Sequence, residues 1–466
     1  MRVTGKFIVT NKKYGDLLKN ILLFGLGLIG TKFIQFILLP YFTNVLTRAE
    51  YGVIDLVISF SGLAVPIVTL ELSDAVLRFG LSDNIDKREL LQNTLCVLLF
   101  AAASTVTFSP VLSFYQTIYN WKWFVVVIII TQAIRTNFAL FIKSENKIIT
   151  YSVDSIMTAI IIAGFDIFFI SYLKYGIKGY FISEIIGNVF SILYLFIFGR
   201  ISKYFVIKRK LNTHLLKEML KYSIPLMFNA ISWWITSFSD RVVLDMFFSP
   251  SEVGIYSVSA KIPAIVTTLL SVFTQAWIIS AVKDFEKERD TSFFENIFNV
   301  YTALLFIMVS LIIVIIKPII RIYVGREFFD AWYYVPLLLV GSAFLGISNY
   351  YGAVYAAAKA NLLEIKSTII CAVTNIILNI LLIPYLNILG AVIATMLSYI
   401  IVVIIRMIDS KRILLIKSSK LYLSVNFTAL ILESILIMNG NNIFGGIFAA
   451  FLFFFNIYVI VKKVKI

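Results

Sequence analysis

Apolar stretches of roughly membrane-spanning length succeed one another along this chain, with short polar connectors between them. Fourteen can be drawn, at 20–44, 51–76, 91–114, 122–142, 150–172, 178–199, 222–247, 253–279, 295–317, 332–357, 365–385, 389–408, 420–438 and 443–461. A bilayer core about 30 Å thick takes about 20 apolar residues as a helix. A backbone in lipid must satisfy its own hydrogen bonds, so each stretch is expected to be helical. A membrane barrel would alternate apolar and polar positions, and runs such as 124–131 (FVVVIIIT) do not. The pattern predicts an all-α polytopic membrane protein with fourteen transmembrane helices. The first span begins late, is long and lacks a small-residue cleavage site, so it is expected to stay in the mature protein.

Composition agrees with the pattern. Hydrophobic residues fill 60% of 466 positions, and mean hydropathy is +0.92. The net charge of +15 would suit nucleic acid if it were gathered in a soluble domain, but it is dispersed among the connectors. With a cytoplasmic N-terminus, 30 of the 41 Lys and Arg residues fall on the inner side and 7 on the outer side. That asymmetry predicts both termini in the cytoplasm and an inner face that meets anionic lipid headgroups. Cys96 and Cys371 lie in separate spans and His214 is the sole histidine, so neither a metal centre nor a cofactor is expected. Gly25, Gly27 and Gly30 fit a dinucleotide motif by letter, yet they lie in an apolar span with no strand before them.

The longest connector, 200–221, divides the chain near its middle, and 212–221 reads as a short amphipathic helix on the inner surface. The segment after this connector repeats the chain's beginning. Leu18-Lys19 precedes the first span and Leu220-Lys221 the seventh; Glu50-Tyr51-Gly52 lies just after the first and Glu252-Val253-Gly254 just after the seventh, both at an offset of 202 residues. A six-helix repeat enters twice from the same side, which predicts two parallel lobes. The expected division is an N-lobe at 1–199, a linker at 200–221, a C-lobe at 222–410 and a C-terminal helical hairpin at 411–466. Transporters built this way hold substrate between the lobes. Breakers at Pro66, Pro225 and Pro263 predict bends in spans 2, 7 and 8.

Four cations fall inside spans away from their ends: Lys32, Arg135, Arg241 and Lys261; Arg78 guards the end of span 2. A charge near the centre of a membrane helix costs about 2.5–3.5 kcal/mol on insertion scales. These five residues are the candidate substrate-binding set, a cationic track suited to phosphate or pyrophosphate, whose oxygens match paired guanidinium donors. The competing reading is internal ion pairing, with Asp240 and Asp245 beside Arg241 and Asp74 one turn from Arg78. Asp74, Asp240, Asp245 and Glu184 are candidate ion-coupling acids. Asp55, Asp154, Asp166, Glu71 and Glu433 also lie within spans, several of them near span ends.

Three ordered motifs carry a resemblance: Leu39-Pro40 with, downstream, Leu46-Thr-Arg-Ala-Glu50-Tyr51-Gly52; Asp74-Ala-Val-Leu-Arg78-Phe79; and Ser239-Asp240-Arg241 running into Ser251-Glu252-Val253-Gly254-Ile255-Tyr256 and Lys261-Ile-Pro263. Over most of the first twelve spans the chain resembles the Wzx-type polysaccharide-export flippases of the multidrug/oligosaccharidyl-lipid/polysaccharide exporter superfamily. The resemblance implies two six-helix, MATE-like lobes around a central cavity. It implies transport of an undecaprenyl-pyrophosphate-linked glycan to the outer leaflet of the bacterial cytoplasmic membrane by alternating access, with a polysaccharide polymerase as a candidate partner. Arg78, Arg241 and Lys261 lie in the matching motifs. The alternatives are a peptidoglycan-precursor (lipid II) flippase, a cationic-drug antiporter, and a membrane polysaccharide polymerase or glycosyltransferase. The antiporter would want an acidic cavity, and the enzyme a larger outer loop than 317–331.

Overall fold

A computed structural model describes residue 34 and residues 36–82, 84–205, 211–287, 290–416 and 420–464. Sixteen α-helices occur among these residues, with a few short 3-10 or π-helical turns and no strand. They are α1 (Phe36–Val45), α2 (Arg48–Thr69), α3 (Leu72–Gly80), α4 (Lys87–Phe108), the single turn α5 (Gln116–Tyr119), α6 (Lys122–Ser144), α7 (Ile148–Asp166), α8 (Gly176–Ile197), α9 (Thr213–Phe247), α10 (Pro250–Lys287), α11 (Thr291–Tyr323), α12 (Val335–Ala357), α13 (Asn361–Leu386), α14 (Ile388–Ser410), α15 (Lys420–Met438) and α16 (Asn442–Val464). Twelve stretches among the described residues are long and apolar enough to cross a membrane. They correspond to the predicted spans other than the first and the seventh. Part of the first span, with Lys32, lies outside the described residues. The seventh is helical within α9, whose Asn229, paired Trp233 and Trp234, and many serines dilute its apolar character.

The second predicted span, 51–76, is two helices. Leu70 and Glu71 both adopt left-handed backbone (φ 54° and 50°), and the Glu71 N–H reaches back to the Pro66 carbonyl at 2.9 Å. The break therefore falls one turn after the proline. Pro225 and Pro263 instead lie within unbroken α9 and α10. The amphipathic segment at 212–221 is helical as expected but is continuous with the seventh span. Asn212 caps the 35-residue α9 by accepting from the Leu215 N–H at 3.0 Å.

Packing gathers the helices into two units, one ending at Gly254 and the other beginning at Ile255. In the first, Leu72, Val76, Leu90, Phe141, Ile142, Leu195 and Met219 form a buried cluster, and α9 packs on α2, α3 and α4. The apolar face of the amphipathic segment, Leu215 and Met219, is thus spent on this core, while Lys217 and Lys221 stay exposed. In the second unit α12 is the central helix: 83% of its most apolar stretch is buried, as suits a helix that is hydrophobic on every side. Tyr350 of α12 stacks on Trp277 of α10 (5.1 Å), and Phe344 stacks on Phe427 of α15 (3.5 Å).

The repeat seen in the sequence has a structural counterpart at the start of α10. Thr47 and Glu50 form a capping box at the start of α2, and Ser249 bonds Glu252 at the start of α10. These positions too are 202 apart, so a hydroxyl paired with a Glu three residues on opens both helices. The two starts also cross each other. A Cβ on Gly52 would meet the Pro250 carbonyl oxygen at 1.8 Å, and one on Gly254 would meet the Arg48 carbonyl oxygen at 2.1 Å. Residue 52 touches 250 and residue 254 touches 48, the reciprocal pattern of a local two-fold. Backbone lies against backbone here, and no flexible side chain can give way. Gly52→Ala and Gly254→Ala are each expected to destabilise the protein by about 1–3 kcal/mol through overpacking. Gly446→Ala, where a Cβ meets nothing within 4 Å, should leave the thermal midpoint in detergent unchanged.

Candidate functional site

Arg135 lies half-buried on α6, among apolar turns contributed by Ile128, Ile129 and Phe138. Its guanidinium donates to the Asn188 Oδ1 of α8 at 3.2 Å. One turn away, the Gln132 amide donates to Glu184 of α8 at 3.3 Å. The Ser191 hydroxyl of α8 donates to Asp154 of α7 at 2.7 Å. Asp154 and Asp166 are both 1% exposed, whereas Glu184 and Arg135 are half-buried. Arg135 is close enough to act electrostatically on Asp154 and Glu184. Among the described residues, however, its bonded partner is a carboxamide. Three helices thus place one guanidinium, two carboxylates and two carboxamides together at the level of the lipid.

Arg241 on α9 is held differently. Its guanidinium pairs with Asp55 of α2 and also donates to the Ser237 carbonyl one turn back. Both side chains of the pair are largely buried, at 14% and 12% exposure. The acids adjacent in sequence have other surroundings. Asp240 is 1% exposed. Asp245 accepts from the Tyr115 and Thr117 hydroxyls, each at 2.7 Å, and so ties the α5 turn to the end of α9. Burial, and then the Asp245 carboxylate it donates to, keep the Tyr115 phenol above its ordinary range, so it stays a donor.

The other sequence candidates are more scattered. Arg78 and Asp74 both lie exposed on α3, and no ion pair joins them among the described residues. Lys261 is half-buried on α10 in the second unit. Lys32 lies outside the described residues. Of the predicted set, the structure brings together Arg135 and Glu184. Among the described residues no cluster of three or more His, Cys, Asp or Glu could hold a metal ion.

Two charged residues have roles that sequence reading misses. Position along the chain puts Asp55 near a span end, as an acid in reach of interface water; it is the partner of Arg241. The signal is present in depth: Asp55 stands seven residues past the start of α2, on the α1 side, and Arg241 six residues before the end of α9. The charge asymmetry counts Arg406 among the cations of the inner face; it is 1% exposed. It donates to the Ser348 carbonyl of α12 (3.0 Å) and to the Ser367 (3.0 Å) and Thr368 (3.2 Å) hydroxyls of α13. A lone cation at a helix end looks alike in sequence whether it meets lipid headgroups or neighbouring helices.

The family described as "Polysaccharide biosynthesis protein" matches residues 17–279. A curated relative, the "probable low-salt glycan biosynthesis flippase Agl15" of Haloferax volcanii, is 28% identical over 193 residues. That match covers 40% of each chain, so this chain spans about two fifths of the relative's length. In fold, the chain is similar to the lipid II flippase MurJ in its inward closed conformation, with a TM-score of 0.71, 15% identity and coverage of 96% of this chain and 100% of that one. It is also similar to an outward-facing multidrug resistance MATE family transporter of the MOP superfamily, with a TM-score of 0.58, 13% identity and coverage of 86% and 95%. The MATE-like helical fold expected from the sequence is therefore present, with twelve of the fourteen expected spans counted among the described residues.

The Arg241–Asp55 pair yields a direct test. Charge-assisted hydrogen bonds are worth about 1.5–3 kcal/mol. Asp55→Asn and Arg241→Gln should each lower stability by about 2 kcal/mol, and the double variant should cost far less than the sum. Thermal unfolding of the four proteins in detergent closes this cycle; additive losses would mean that the pair carries no coupling.

Proposed function

This chain belongs to the polysaccharide biosynthesis protein family, and we propose that it is a flippase. Its cargo in this reading is an undecaprenyl-pyrophosphate-linked oligosaccharide, moved from the inner to the outer leaflet of the bacterial cytoplasmic membrane. Both termini lie in the cytoplasm, and the products pass to a polysaccharide polymerase outside. The observation that carries the reading is Arg135: a half-buried guanidinium at lipid level whose bonded partner is a carboxamide. A carboxamide orients a guanidinium without cancelling its charge, which leaves the cation able to attract an anionic headgroup.

In this reading Lys32, Arg78, Arg135, Arg241 and Lys261 receive the pyrophosphate at successive stages of alternating access. Arg241 meets it only once Asp55 has released the guanidinium. The polyprenyl tail stays in lipid while the sugar head crosses. Among the candidate ion-coupling acids, Glu184 is best sited to answer the headgroup, because it neighbours the same guanidinium as the phosphate. Asp74, Asp240 and Asp245 complete that set.

The test is glycan export in cells. Lys32→Ala, Arg135→Ala and Lys261→Ala are expected to reduce surface polysaccharide about tenfold or more each, the equivalent of about 1.4 kcal/mol or more. Protein should insert at normal levels, and lipid-linked glycan should accumulate in the inner leaflet. Full surface polysaccharide from all three variants would remove the cationic track. Loss of cell-wall synthesis with polysaccharide intact would transfer the reading to lipid II.

A further inference from the structure

Glu433 lies on α15, which packs against α11, α12 and α16. Its side chain is 0% exposed. The turns around it on α15 contribute Leu430 and Ile437, and the facing stretch of α11 contributes Val309 and Ile313, all buried. Its carboxyl meets one hydroxyl twice: Ser310 Oγ of α11 lies 3.0 Å from Oε1 and 2.8 Å from Oε2. Among the described residues no cation and no further hydrogen-bond donor reaches it. No titratable group described on α11, α12 or α16 bonds to it either. Those nearest to Ser310 along α11, Tyr301 and Lys317, are roughly 10 Å or more away along the helix axis.

A hydroxyl has a single proton to donate. Facing a carboxylate, Ser310 must share that one proton between the two oxygens or turn a lone pair towards one of them. Facing a carboxylic acid, it closes two complementary bonds: its own proton goes to one oxygen, and the acid proton on the other oxygen is donated to Oγ. Both short contacts are then attractive. An ionised carboxylate here would stand without a counter-charge in the interior of a membrane protein.

We propose that Glu433 is a proton-binding site, a neutral acid that closes a two-bond ring with Ser310 and so holds α15 on α11. Removal of the proton places an unanswered charge at that contact, which links proton occupancy to the packing of the C-terminal hairpin. The site is separate from the cationic residues above and does not depend on the flippase reading.

Infrared difference spectroscopy of the full-length protein in lipid, wild type minus Glu433→Gln, tests this in neutral buffer. The carbonyl band of a protonated carboxyl is expected in the wild type and lost in the variant. In Ser310→Ala the same band should move to higher frequency, because its hydrogen bonds are gone. A difference spectrum that contains only carboxylate bands overturns the proposal. If Glu433→Gln does not fold, the wild type and Ser310→Ala suffice, and a protonated-carboxyl spectrum identical in the two overturns it as well.

Discussion

A charge placed at the level of lipid has to be answered, and the way each is answered sorts the polar residues of this molecule. Hydrocarbon cannot do it, so the answer must come from the chain, from a ligand or from water in a cavity. Arg241 is answered by a carboxylate, Arg406 by two hydroxyls and a carbonyl, and Arg135 by a carboxamide. These are three electrostatic solutions. The first neutralises, and the second satisfies the donors with dipoles while Glu364 of α13 stands within electrostatic reach. The third fixes the direction of the guanidinium while leaving its charge largely uncompensated by the bond itself. The helices arise from the same constraint applied to the backbone, whose N–H and C=O groups must pair within the segment.

Much of this is legible in the sequence, because the lipid imposes a coarse rule. Apolar runs of the right length locate nearly every long helix, and the cations inside them stand out against that background. Partnership is harder to read. Asp55 and Arg241 are 186 residues apart, and local spacing favours Asp240 and Asp245 instead. Helical neighbours three or four residues apart are visible in one dimension; pairs between helices are visible only through depth. Arg406 shows the opposite limit. Its position near a helix end matches the inner-face cations, and the hydroxyls that bury it belong to a different helix. The fusion of the linker helix with the seventh span is hidden for another reason: an amphipathic face and an apolar span have different patterns, yet nothing between residues 213 and 247 forbids one continuous helix, since Pro225 is accommodated within it.

The repeat gains physical content at the start of α10. Short matches in register could be chance in sequence, and repeated capping alone would explain only local structure. The reciprocal approach of Gly52 to Pro250 and of Gly254 to Arg48 requires more. Each helix start must have both its capping acid and, two residues on, a glycine. Losing either one weakens the crossing, for want of a defined start or for want of space. The two requirements explain why the motif reads Glu-x-Gly in both copies.

The contrast between Arg135 and Arg241 also bears on how one fold could serve several cargoes. A carboxylate partner makes a cation indifferent to anions until that partner leaves, so binding there must be linked to movement. A carboxamide partner needs no such exchange at the bond itself, although Asp154 and Glu184 stand within electrostatic reach of the same guanidinium. In the flippase reading proposed above, a chain that carries both kinds captures an anion at one residue and commits to rearrangement at the other. The order is set by partner chemistry alone. It requires that the neutralised cation be released at the expense of its carboxylate, which the incoming anion replaces charge for charge.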